Sequence, residues 1–225
     1  MADLAKKIKE KNPLESRSYM CEVRAIEDEE DGASVINGRP IVYESVTDLG
    51  YFDEIIDRGA LDGADLTDVR FLVNHDLSKI PLARSRRNNG NSTMQLVTDY
   101  EGMTIKAELD TENNAEARSL YSAVKRGDVS GMSFMFSIDA ERWEDLDSDH
   151  PTRHITKIGS VVEVSAVTFP AYDSTSINAR SESEALERAR LAVETAREQT
   201  RSNEPDHSGL DLELEKEKFR FKSNL

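Results

Sequence analysis

Ser130-Gly-Met-Ser-Phe-Met-Phe-Ser-Ile138 is the stretch on which the fold turns. Its apolar members Met132, Phe134, Phe136 and Ile138 alternate with Ser133, Met135 and Ser137, the period of two expected of a strand with one face on a core. The other face then carries two hydroxyls and a thioether. A strand fixes side-chain direction better than a loop does, so Ser133 is well placed to act as a nucleophile if a base lies near it. Among four histidines, His75 alone follows directly on an apolar strand, in Val69-Arg-Phe-Leu-Val-Asn-His-Asp76. A third stretch, Ser160-Val-Val-Glu-Val-Ser-Ala-Val-Thr-Phe-Pro170, places one acid, Glu163, in an otherwise apolar run. Ser133, His75 and Glu163 together are the side chains of a Ser-His-acid triad.

Composition bounds what the rest can be. A length of 225 residues allows one domain of about 150 to 170 residues plus tails. With 37% hydrophobic and 32% charged residues, the chain buries one modest core and keeps long solvated segments. A net charge of −15 argues against nucleic acid or an anionic membrane as the main partner. No apolar run approaches the roughly 18 residues of a membrane helix, and the N-terminus has no signal-peptide core. The single cysteine, Cys21, excludes an internal disulfide, suits a reducing cytoplasm, and reads as a small core residue.

Outward from the serine strand, the chain divides into four parts. Residues 1–16 are polar and lysine-rich and read as a flexible arm; 17–180 hold the folded domain; 181–201 form a tail helix; 202–225 read as a disordered acidic tail with a basic, aromatic end. Within the domain, strands are expected at 18–27 and 34–45, and Tyr51–Leu61 reads as a strand running into a turn. Strands follow at 68–74 and 80–86. Arg87-Asn-Asn-Gly90 then signals a hairpin turn into the strand of Met94 and Leu96. Met103, Ile105, Ala107 and Leu109 alternate in the next strand. Asn113, with Glu116 three residues on, predicts a capped helix over 113–126 that buries Ala117, Leu120, Tyr121 and Val124 and ends at Gly127. One or two more strands occupy 152–169. About eight short sequential strands and one internal helix predict a mainly β (α+β) fold, a small antiparallel barrel or sandwich with appended helices. The tail helix has only a thin stripe of Ala185, Ala189, Ala192, Val193 and Ala196, which packs weakly or meets a partner helix.

Each candidate also has a plainer reading. Ser133 lacks the second glycine of a Gly-x-Ser-x-Gly elbow, so an α/β-hydrolase is not indicated. Ser130 and Ser165 are expected to be replaceable, as are His150 and His154. A carboxylate among Val161, Val162 and Val164 is costly unless it is paired or lies on an exposed face, and both readings of Glu163 stay open here. Asp145-Leu-Asp-Ser-Asp149 resembles the start of a calcium loop but lacks its glycine and distal glutamate. No metal or cofactor is expected.

Asn74-His75-Asp76, Gly131-Met-Ser-Phe134 and Glu163-Val-Ser-Ala-Val-Thr-Phe-Pro-Ala-Tyr172, in that order and over about residues 18–178, resemble the prohead maturation proteases of tailed phages. Length and tail are similar to the HK-ninety-seven type, with Met135 standing where that family often has glycine. The resemblance implies a herpesvirus-assemblin-like barrel and a serine endopeptidase with Ser133 as nucleophile, His75 as base and Glu163 as orienting acid. It implies action inside the assembling prohead in the host cytoplasm. The expected substrates are the scaffolding segment of the major capsid protein and the protease itself, with a homodimer allowed. Nucleic acid and membrane are not expected partners. The competing reading is a non-catalytic capsid-assembly protein of scaffold type.

Overall fold

The computed structural model describes residues 14–21, 23–28, 32–168 and 179–203. Two sheets carry the fold. The first contains β1 (Leu14–Met20), β4 (Thr47–Asp48), β5 (Asp53–Ile56), β6 (Asp68–Val73), β7 (Ala83–Arg86), β10 (Gly131–Glu144) and β11 (Thr152–Val167). The second contains β2 (Val23–Glu27), β3 (Ser34–Val42), β8 (Met94–Asp99) and β9 (Gly102–Leu109), in the order β2-β3-β9-β8. Helix α1 spans Ala115–Arg126 and helix α2 spans Ala179–Asn203. The fold is mostly β with few helices. Among the described residues the strands do not close into a barrel.

The expected strand over 18–27 is divided. β1 pairs with β10 in the first sheet, whereas β2 pairs with β3 in the second, so the chain changes sheets beside Cys21. Leu14–Ser16, within the stretch read as an arm, belong to β1; residues 1–13 lie outside the described part. Cys21 packs against the core, where burial pushes its thiol up to about 11 despite hydrogen bonds from the main chain of Met132 and Arg39. It therefore stays protonated and unreactive at neutral pH.

β10 and β11 form the longest ladder, antiparallel from Gly131–Val167 to Glu144–Thr152, with bulges near Phe136 and Ile138. The expectation of a wholly antiparallel sheet fails at β11. β5 lies parallel to Thr152–Ile155 and β6 lies parallel to Glu163–Ala166. The physical reason is length: a strand of 16 residues gives one edge on which two short strands sit end to end. The chain between them turns through Gly59 and Gly63, both with left-handed φ (83° and 79°). An isolated parallel bridge, Asp65–Ser160, keeps it against β11.

The Asn-Gly hairpin is also corrected. β7 pairs with β6, not with β8, and residues 87–93 cross between the sheets. Arg87 and Asn88 take left-handed φ there, and Asn88 brackets Leu96, donating to its carbonyl at 2.7 Å and accepting from its N–H at 2.8 Å. The side chain of Asn88 thus replaces the strand ladder that a hairpin would have supplied. The hairpin β8–β9 does form, with Met103, Ile105, Ala107 and Leu109 all buried.

Helix α1 starts one residue later than expected. Asn114 caps it, accepting from the N–H groups of Glu116 at 2.9 Å and Ala117 at 3.2 Å, while the Glu116 carboxylate reaches Lys79 instead of the cap. Gly127 closes it with φ 81°. Ala117, Leu120 and Val124 face the main core, which also holds Phe71, Phe134, Phe136, Val164 and Ile158. Tyr121 is partly buried against it. In α2, Ala189 and Val193 are buried against Phe52, with Leu49, Trp143 and Ala192 around them. Trp143 meets Phe52 edge-on at 5.0 Å between centroids. Arg197 donates to the carbonyls of Leu146 and Ser148, both at 2.7 Å, fastening the helix to the β10–β11 turn.

Candidate active site

The end of β6 is bent by two consecutive non-glycine residues in the left-handed region, Asn74 (φ 51°) and His75 (φ 60°). Such a conformation costs about 1–2 kcal/mol per residue and persists only where neighbours over-determine it. Here they do. Asn74 donates its N–H to the carbonyl of Ala166 at 3.0 Å, and its Oδ1 accepts from the Thr168 N–H at 3.0 Å. The His75 N–H donates to Ser165 Oγ at 3.1 Å. This turn swings the imidazole back over β11.

There it meets Glu163. His75 Nδ1 lies 2.5 Å from Glu163 Oε1. The carboxylate is fully buried, and its second oxygen accepts from Ser165 Oγ at 2.6 Å. Of the two sequence readings of Glu163, burial with a partner is therefore the one realised. Both oxygens of this buried carboxylate thus have hydrogen-bond partners, which is what burial of a polar group requires. With Nδ1–H donating to Glu163, Nε2 is left as the proton acceptor of the ring, and no hydrogen bond occupies it among the described residues.

Ser133 lies on the adjacent strand. It is the direct cross-strand partner of Ser165, while Met135 opposes Glu163. On its other side it opposes Ser18 of β1. Ser18, Ser133 and Ser165 therefore form a row across three strands, their neighbours on one face about 4.5–5.5 Å apart at Cβ. Ser133 is fully buried, its Oγ donating to the Arg17 carbonyl at 2.7 Å and accepting from Ser18 Oγ at 2.9 Å. The structure thus joins His75 to Glu163 directly and sets Ser133 one strand away. Among the described residues, no hydrogen bond joins Ser133 to His75.

The remaining histidines serve as controls. His154 also has a carboxylate partner, Asp57 Oδ1 at 2.6 Å, but no serine hydroxyl is bonded to it among the described residues. His150 sits with Asp48 and Asp53 at the opposite end of β11, the one group of described side chains close enough to share an ion; all three are solvent-accessible and remote from Glu163. Arg84 is held by Asp68 at 2.5 Å. It lines a cavity of about 360 Å³ with Arg70, Leu72, Leu77, Lys79 and Pro81. Arg70 and Leu72 are in register with Glu163 and Ser165, so this cavity adjoins the His–Glu pair.

Asn74 and Thr168 are site residues that sequence reasoning did not single out, and Ser165, expected there to be replaceable, is bonded to both His75 and Glu163. All three lie within the stretches that carried the resemblance. Ser165, two residues from Glu163, shares its strand face, which a period-two count could have shown.

Residues 20–189 match the family of caudovirus prohead serine proteases. The chain belongs to this family. It is accordingly a serine protease of phage capsid maturation. The capsid assembly protease of bacteriophage T4 is a similar solved structure, with 12% identity and a TM-score of 0.41 over 69% of this chain and 98% of the other. No curated protein matches the chain. In this protease the family match begins at residue 20, so nearly all of β1, including Ser18, precedes it. No described helix is long and apolar enough to cross a membrane.

Proposed function

We propose that this protease hydrolyses peptide bonds with Ser133 as nucleophile, His75 as general base and Glu163 as the acid that orients it. The observation that carries the reading is the buried Glu163 held on His75 Nδ1 at 2.5 Å, one strand from a serine on the same sheet face. His75 Nε2 takes the Ser133 hydroxyl proton as Oγ attacks the scissile carbonyl, and Glu163 stabilises the imidazolium formed. The imidazolium then protonates the leaving amine. Water, activated by the same imidazole, hydrolyses the acyl-enzyme and returns Ser133. For the first step, Ser133 Oγ must turn from the Arg17 carbonyl toward His75, a change of one side-chain torsion.

The substrates in this reading are the scaffolding segment of the major capsid protein, inside the immature shell in the host cytoplasm, and the protease itself. The cavity of Arg70, Leu72, Leu77, Lys79, Pro81 and Arg84 adjoins the His75–Glu163 pair and is in this reading the subsite for a substrate side chain. Residues 17–180 are the catalytic part in this reading.

The test is co-expression with the capsid protein. Wild type should shorten the capsid protein, whereas Ser133→Ala and His75→Ala leave it whole, a loss on the order of a million-fold for a nucleophile. Glu163→Gln should fall between them and wild type. Cleavage by His75→Ala at the wild-type rate ends the triad reading; an uncut capsid protein with wild type ends the assignment of the capsid protein as substrate.

A further inference from the structure

We infer that Ser165 is a positioning residue of this protease, holding base and acid in one closed ring of hydrogen bonds; the inference rests on the triad reading above. The ring starts at the His75 main chain. Its N–H donates to Ser165 Oγ at 3.1 Å, Ser165 Oγ–H donates to Glu163 Oε2 at 2.6 Å, and Glu163 Oε1 meets Nδ1 of the same histidine at 2.5 Å. Backbone and imidazole of one residue are thus tied to the two oxygens of one carboxylate through a single hydroxyl.

The chemistry of a hydroxyl makes this assignment specific. It has one proton and accepts through its lone pairs, so donation to Glu163 leaves it free to accept from His75. Ser165 is fully buried, and Leu72 and Ser133 flank it in register on the neighbouring strands. An alanine there would keep the strand but leave Oε2 of a buried carboxylate and a strained main-chain N–H without this partner. Glu163 would then be free to rotate about its terminal torsion, and His75 would lose the contact that holds its left-handed turn. The same bonding keeps Ser165 from competing as a nucleophile, because its proton is committed to Glu163 and not to the imidazole.

A role confined to strand packing makes a different prediction, so the test reads the reactivity of Ser133 and the state of His75. The full chain is labelled with a fluorophosphonate, which reports nucleophilic serine without requiring a known substrate. The low-field proton of His75 Nδ1–H is followed by NMR, and thermal melting accompanies both. Ser165→Ala should label about ten- to a hundred-fold more slowly, the range for losing a hydrogen bond to a charged group, and should lose the low-field resonance. Ser165→Thr, which keeps the hydroxyl, should retain both. Val164→Ala, on the opposite strand face, should lower the melting temperature and leave labelling and resonance unchanged. Wild-type labelling and resonance in Ser165→Ala, with Ser133→Ala and His75→Ala unlabelled, overturn this inference and spare the triad. If Ser165→Ala does not fold, a folded Ser165→Thr that has lost labelling overturns it as well. Undiminished labelling of Ser133 in His75→Ala overturns the triad and this inference together.

Discussion

Asn74 shows how one side chain delivers another. Its left-handed backbone aims His75, and its Oδ1 takes the Thr168 N–H at the end of β11. Asn74→Ala removes that acceptor and puts a less tolerant residue at φ 51°. It should cost about 1–2 kcal/mol in denaturant melts and slow cleavage by more than that loss implies, because the base is displaced. Gly102 is a second decisive residue. A Cβ there would stand 2.0 Å from the Ile41 carbonyl oxygen, at φ 141°. Gly102→Ala should therefore cost about 3 kcal/mol, read as a shifted urea midpoint at unchanged slope. At this scale the pairing of His75 with Glu163 is what the structure adds to the sequence reading; Ser133, His75 and Glu163 each stand out in the sequence as a polar residue in or directly after an apolar strand. Asn74 was not legible, because its work is done on main-chain groups, which leaves no mark in hydrophobic periodicity; Ser165 was read as replaceable although a period of two puts it on the face of Glu163.

β1 is fixed to its sheet by more than its ladder. Beneath it lies a buried ion cluster in which Glu54 accepts from Arg17, at 2.7 Å through Nη2, and from Arg153 at 3.3 Å. Arg153 also binds Glu15, at 3.2 Å, and Glu141, at 2.9 Å through Nε. Glu54 is the cluster's fully buried acid and bonds both guanidinium groups, so removing it leaves buried donors without their partner. Glu54→Ala should cost about 3–5 kcal/mol. Burial alone would raise the Glu15 carboxyl, but Arg17 and Arg153 outweigh it and hold the group below its ordinary 4.5. The stability it contributes is present above that value and lost as pH falls through the lowered one. A stability difference between wild type and Glu15→Gln should thus be seen at pH 7 and shrink as pH falls below the ordinary 4.5. Little of this was legible. Alternation gives a strand its faces but not its neighbours, so neither the parallel placement of β5 and β6 nor the crossing at Asn88 could be read from one sequence. Helix α1 could, because caps and a period of 3.6 are local.

Taken whole, the molecule sets the proposed triad and its tail helix at different ends of the β10–β11 ladder. Ser133, Ser165 and Glu163 lie toward one end, and Arg197 grips Leu146 and Ser148 at the other. Ala189 and Val193 of the thin stripe on α2 do find a surface, the ring of Phe52. A chain ending at Arg180 should fold and still label at Ser133, but melt lower. Losing the contacts of Ala189, Val193 and Ala196 costs about 2 kcal/mol, or roughly 4–8 °C at this size. An unchanged midpoint would show that the docked helix adds nothing to stability. If the protease removes part of residues 181–225 from itself during maturation, intact mass should show the shortened chain in wild type and full length in Ser133→Ala. The seam of that helix holds Trp143, the chain's single tryptophan, against Phe52. Its fluorescence is a built-in optical gauge: undocking the helix wets the indole and moves its emission to the red, so tail release can be timed in solution without a dye.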